Sequence, residues 1–220
     1  MTRTVLLVVM LAAALTAMVS AAETVEKTFT VREDVSVKIN TVAGNITVIA
    51  WDRSDEVRVK AEIVGDYVQP EFEQGEGWLR INEKHDSTVH GDHGAVHFEV
   101  YVPRAAALKG NTVSGDLSAD SVAGSVKLNT VSGHAVCRCP DSYDSQLSLN
   151  SVSGELELEL GRGADARFHA NTLSGDIACR PKLDQVEKHE ARISTQLRGQ
   201  LGAGRGQIKL NTVSGNITVR

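Results

Sequence analysis

A nine-residue unit recurs along the chain, and it constrains the fold more than any other feature. Asn40-Thr41-Val42-Ala43-Gly44-Asn45-Ile46-Thr47-Val48 returns as Asn111-Thr112-Val113-Ser114-Gly115-Asp116-Leu117-Ser118-Ala119. It returns again as Asp120-Ser121-Val122-Ala123-Gly124-Ser125-Val126-Lys127-Leu128 and as Asn129-Thr130-Val131-Ser132-Gly133-His134-Ala135-Val136-Cys137. Further copies start at Asn150, Asn171 and Asn211, and a worn copy from Thr195 keeps Leu197, Gly199 and Leu201. Starts at 111, 120 and 129 put the middle copy on the opposite wall from its neighbours, so one coil takes roughly 18 to 21 residues.

Within a copy the third, seventh and ninth residues are apolar, which is the period of a strand. Before each Asn the apolar residues fall on the other parity, as in Val37 and Ile39, Val126 and Leu128, Leu147 and Leu149. The flip predicts a corner at Asn-Thr, with Val42, Val113, Val131, Val152, Leu173 and Val213 pointing inward and the following Gly at a second bend. One coil cannot bury its apolar wall alone, so coils must stack. The predicted class is therefore all-β, a parallel β-solenoid of the single-stranded β-helix kind. About six coils at a strand spacing near 4.8 Å give a rod of roughly 29 Å.

A narrow interior accounts for an aromatic content of only 4%. Beyond Arg104 the aromatics are Tyr143 and Phe168, whereas Trp51, Tyr67, Phe72, Trp78, Phe98 and Tyr101 lie between 51 and 101. Residues 51–104 interrupt the repeat and alternate as strands over Glu56 to Ile63, Trp78 to Asn82 and Ala95 to Val102. They read as a small antiparallel β excursion that packs its aromatics over the first coil as a cap, ahead of a regular array over 105–220. Val219 and Arg220 end flush with the last repeat, which predicts an open C-terminal edge able to self-associate.

Arg3, the apolar run Val5 to Leu15 and the small residues Ser20-Ala21-Ala22 form the pattern of a secretory signal peptide over residues 1–21. Residues 22–220 are then one exported domain, periplasmic, secreted or associated with the cell surface, and no other stretch could span a bilayer. Hydrophobic residues at 41% and charged residues at 23% fit a globular chain. A net charge of −5, from 23 basic and 28 acidic residues, argues against a nucleic-acid binder or a polybasic membrane-surface binder. Three cysteines, Cys137, Cys139 and Cys179, cannot all pair internally. Cys137 and Cys139 are neighbours on one strand face and cannot pair with each other without strain, which leaves a bridge from either to Cys179, or three small buried hydrophobes.

The Asn-Thr-Val-Ser-Gly-Asp/Asn-Ile/Leu units, the opening Gly44-Asn45-Ile46-Thr47-Val48 leading to Trp51-Asp52, and Val102-Pro103 ahead of the array resemble the bacterial putative-adhesin domain family of β-solenoids. The resemblance covers nearly all of residues 28–220. It implies an exported, envelope-associated, non-enzymatic protein, and it supplies no catalytic residues.

Two constellations could carry chemistry. His85, His90, His93 and His97 fall within 13 residues beside Asp86 and Asp92. Imidazole with carboxylate suits a transition metal, so His85, His90, Asp92, His93 and His97 are the candidate ligands, against a solvated hairpin loop. The second constellation is a hydroxyl ladder. With the central Val inward, Thr112 and Ser114, Thr130 and Ser132, Ser153, Thr172 and Ser174, and Thr212 and Ser214 point outward, a flat array able to meet an envelope protein or a glycan surface. Enzymatic readings are weaker. A carbohydrate-active β-helix needs clustered acids, which Asp116, Asp120 and Asp176 do not supply, and calcium-binding repeats carry a Gly-Gly-x-Gly-x-Asp core that is absent here. The sequence thus points to a non-enzymatic binding or scaffolding protein of the envelope without a cofactor. The alternatives are a metal-binding periplasmic protein using residues 85–97, and a carbohydrate-active enzyme.

Overall fold

The computed structural model describes residues 23–86, 94–191 and 194–220, and these form strands and connections without helix. The N-terminal part contains β1 (Glu23–Thr30), β2 (Ser36–Asn40), β3 (Ile46–Trp51), β4 (Glu56–Val64), β5 (Val68–Gly75), β6 (Trp78–His85) and β7 (Ala95–Pro103). The repeat array follows as β8 (Ala107–Ser114), β9 (Leu117–Asp120), β10 (Val126–Ser132), β11 (Ala135–Arg138), β12 (Gln146–Ser153) and β13 (Leu156–Glu159). The chain ends with β14 (Ala166–Ser174), β15 (Ile177–Cys179), β16 (Asp184–Ala191), β17 (Ser194–Leu201), β18 (Gly206–Ser214) and β19 (Ile217–Val219).

The copies starting at 40, 111, 129, 150, 171 and 211 each contribute one strand to each of two walls, whereas the worn copy from Thr195 lies wholly within β17 and forms no coil. A ten-stranded sheet runs β16-β17-β14-β18-β12-β10-β8-β2-β6-β5, and a nine-stranded sheet runs β1-β4-β7-β3-β9-β11-β13-β19-β15. Inner strands pair in parallel and in register, with Asn111, Asn129, Asn150 and Asn211 opposite one another. The ends pair antiparallel, β1 on β4, β4 on β7 and β5 on β6 at one end, β17 on β14 and β16 on β17 at the other. The sheets are therefore mixed, not purely parallel as the repeat alone suggests. The core lies between the walls and is built from Val, Ile, Leu and Ala of every coil, including Ile39, Leu128, Leu149, Leu158 and Ile208. Residues 51–104 are not wholly antiparallel either. β6 and β7 run parallel to β2 and β3 as a further coil, over which β4 and β5 fold back.

The stacking order differs from the chain order. The C-terminal coil, β18 with β19, sits between the β12/β13 coil and the β14/β15 coil. The expected open C-terminal edge is thus absent: the last repeat is paired on both sides, and the sheets end instead at β15 and β16. Asp165 pins this insertion. Its carboxylate accepts the Arg205 N–H at 3.0 Å and Arg205 Nε at 2.7 Å, and its backbone carbonyl accepts Gly206 N–H at 2.9 Å.

The corner is also built differently from the predicted one. No flip occurs at Asn-Thr, and β8 runs straight on to Ser114 before bending at Gly115-Asp116. Thr41, Thr112, Thr130, Ser151, Thr172 and Thr212 are 0–6% exposed, while Val42, Val113, Val131, Val152, Leu173 and Val213 are 46–49% exposed. The hydroxyls face inward because each meets an acceptor of the adjacent coil: Thr112 donates to the Gly44 carbonyl at 3.3 Å, Thr130 to Gly115 at 3.2 Å, Thr172 to Gly215 at 2.9 Å and Thr212 to Gly154 at 3.2 Å, and Thr41 donates to the Glu83 carboxylate. An inward Val there would leave that carbonyl without a donor in a dry corner. Glycine is required by close approach, since a Cβ on Gly133 would lie 2.1 Å from the Gly115 oxygen and one on Gly154 would lie 1.9 Å from the Gly133 oxygen.

Candidate functional site

The predicted hydroxyl wall is half inside the protein. Thr112, Thr130, Thr172 and Thr212 are buried corner donors, whereas Ser114, Ser132, Ser153, Ser174 and Ser214 are exposed beside the outward Val and Leu side chains. What solvent meets at the corner is an alternating Val-Ser ridge.

The histidine set is only partly described, because His90, Asp92 and His93 lie outside the described residues. His85 ends β6 in the ten-stranded sheet and His97 belongs to β7 in the nine-stranded sheet. His85 Nε2 lies 2.7 Å from Glu83 Oε1, and the other Glu83 oxygen accepts Thr41 Oγ1 and, at 2.9 Å, Val42 N–H. Glu83 thus takes the inward place that Thr holds in the other coils. His97 Nδ1 accepts Asn45 N–H at 3.1 Å. No three His, Cys, Asp or Glu side chains gather as a metal site among the described residues. All three cysteines are free thiols. Register puts Cys137 and Cys179 on one inner row separated by Leu158 and Val219, three strand spacings or about 14 Å, too far for a disulfide. The neighbouring Cys139 thiol and burial push the Cys137 thiol well above its ordinary range.

The outer face of the ten-stranded sheet carries the most unusual arrangement. The pairing aligns Lys38, Lys109, Lys127, Ser148, Lys209, His169 and Arg198 in one row perpendicular to the strands. Arg167 stands two residues before His169 on the same face. None of the seven strands β2, β8, β10, β12, β18, β14 and β17 contains an acidic residue. Lys38, Lys109, Lys127, Lys209, Arg167 and Arg198 form no ion pair among the described residues. At the ends the row meets Arg80, paired with Glu73 at 2.8 Å, and Glu187 opposite Arg198. Burial, then the Arg198 and Lys209 charges, hold the His169 imidazole below its ordinary pKa. Like charges opposite one another on neighbouring strands destabilise a sheet, so Lys38, Lys109 and Lys127 in file carry an electrostatic cost.

Two residues along each strand runs a second row. Asn111 Nδ2 donates to Asn40 at 2.8 Å, Asn129 to Asn111 at 2.8 Å, Asn150 to Asn129 at 2.9 Å and Asn211 to Asn150 at 3.0 Å. Each amide carries two N–H groups and this ladder uses one of them. The opposite wall differs in kind: Arg138 lies between Asp120 at 3.9 Å and Glu159 at 3.1 Å, and Arg220 meets Glu157 at 2.8 Å, so its charges alternate and pair. Sequence reasoning missed the cationic row although a signal was present. Lys-x-Asn recurs at Lys38, Lys109, Lys127 and Lys209, just ahead of the units compared.

A stack of short in-register strands with side-chain ladders defines a β-solenoid-like scaffold, and comparison with known proteins places it. Residues 83–220 match the Toastrack DUF4097 family, and the chain belongs to that family. Its fold is shared with a crystal structure described as a putative cell adhesion protein from Clostridium sporogenes ATCC 15579, at 12% identity and a TM-score of 0.66, covering 90% of this chain and 99% of that one. A putative adhesin from Bacteroides fragilis NCTC 9343 aligns at 9% identity and a TM-score of 0.35, covering 90% and 97%. One from Parabacteroides distasonis ATCC 8503 aligns at 10% identity and a TM-score of 0.31, covering 90% and 98%. No curated protein matches the chain significantly.

Proposed function

We propose that this protein is an exported, non-enzymatic binding protein of the bacterial cell envelope, which holds a repetitive partner against the outer face of its ten-stranded sheet. The observation that carries this reading is the cationic row, which forms no ion pair among the described residues, a feature that lowers stability and so points to an interaction. Family membership and the solenoid-like scaffold support it, as does the leader pattern over residues 1–21. Cell fractionation with protease treatment of intact cells tests it. The expected result is a processed chain in the periplasmic or surface fraction that sediments with purified envelopes at low salt. An unprocessed cytoplasmic pool, or a processed chain that never associates with envelopes, overturns it.

A further inference from the structure

Resting on that reading, we infer that the partner is a linear carboxylated polysaccharide, a run of uronate residues lying along the Lys38-Lys109-Lys127-Lys209-Arg198 row across the strands. The row is one residue wide, except where Arg167 stands beside His169, and about 29 Å long from Lys38 to Arg198, six strand spacings of about 4.8 Å. A line of charge matches a linear polymer, where a broad patch would match a surface. Lys38, Lys109 and Lys127 repeat the cation coil by coil at about the advance of one sugar ring along an extended glycan, and Ser148 and His169 interrupt the file before Lys209 and Arg198, so five of its seven positions meet a carboxylate in step. The Asn row beside it offers an uncommitted amide N–H at Asn111, Asn129 and Asn211, the complement of sugar hydroxyls, while Asn150 donates its second N–H to Ser148 Oγ at 3.0 Å. Glu73 and Glu187 close the row at its ends and fix its length.

Other polyanions fit less well. Duplex DNA places a charge about every 1.7 Å of axis, far denser than one per coil. Single-stranded nucleic acid is held by stacking on aromatic rings, and Phe168, the one aromatic residue in these seven strands, is buried in the core. An anionic bilayer would call for apolar side chains interleaved with the cations, whereas the immediate neighbours of the lysines are Ser36, Ala107, Ser125 and the Asn row; the exposed Val42-Val113-Val131 ridge on this face is a separate line, four residues or about 13 Å along each strand from the lysines.

Isothermal titration of the full mature chain with polygalacturonate and with galacturonate oligomers of defined length, at low salt, tests the inference. Binding is expected to strengthen with oligomer length up to about six or seven residues, the span of the row. It should fall about tenfold or more in the triple variant K38Q/K109Q/K127Q. Lys60→Gln, a charge removed from the other wall, should leave it unchanged, and dextran should not bind. If the triple variant does not fold, the His169 imidazole resonance of the unmodified protein decides: a shift that saturates with added oligomer supports the row as the site, and its absence at saturation overturns it. The inference also fails if polygalacturonate does not bind, if Lys60→Gln weakens binding equally, or if single-stranded DNA or phosphatidylglycerol vesicles bind more tightly through the same lysines. Envelope association that is lost in the triple variant while polygalacturonate fails to bind the unmodified protein would sink the uronate assignment and leave the envelope-binding reading standing, and association that survives in the triple variant would remove the lysine row from both. Loss of all envelope association in the unmodified protein would sink both.

Discussion

At the corner of each coil a threonine and a valine exchange the places that hydropathy alone assigns them. Thr130 is 4% exposed and holds the Gly115 carbonyl, while Val131 beside it is 46% exposed. Thr130→Val, nearly isosteric, should destabilise the chain by about 1–2 kcal/mol through the orphaned carbonyl. Val131→Thr should stay within about 0.5 kcal/mol. Denaturant melts of the two variants check this, and the opposite ranking would mean the corner faces the other way. His169 answers to its row. Because burial and the Arg198 and Lys209 charges lower its pKa, the unfolded chain takes up the proton first as pH falls, and stability is lost below the ordinary imidazole value of about 6.5. Lys209→Gln should raise the His169 pKa and reduce that loss, as read by NMR titration and by melts between about pH 7 and 5.

Among the elements, the inserted C-terminal coil has the largest consequence. In a solenoid stacked in chain order the last coil is an end piece, and its removal costs one interface. Here β18 and β19 join β12 and β13 to β14 and β15, so removing residues 206–220 opens both sheets in the middle. A chain ending at Arg205 should lose cooperative unfolding and self-associate through the exposed strand edges, measured by circular dichroism and sedimentation. A folded, monomeric product would contradict the inserted order. The strand periods and the bend at glycine were legible in the sequence, whereas the further parallel coil that β6 and β7 add to β2 and β3 was not. The insertion was not, because the copies at Asn150, Asn171 and Asn211 are alike and each could pair with either of the others.

For the whole molecule, net charge conceals arrangement. The chain carries −5 overall, yet seven consecutive strands of one wall hold Lys and Arg without a single Asp or Glu. At pH 7 and low salt the protein should therefore be retained on a cation exchanger despite its net negative charge, and K38Q/K109Q/K127Q should pass through. Passage of both would show that the wall is neutralised in solution. By itself the sequence determined the repeat, the all-β class and the family, because these follow from local periodicity and from motifs a few residues long. Only the tertiary structure decided the stacking order of the coils, the inward face of the threonines and the alignment of Lys38, Lys109, Lys127 and Lys209. Those lysines lie as many as 171 residues apart in the chain, and parallel register alone makes them neighbours.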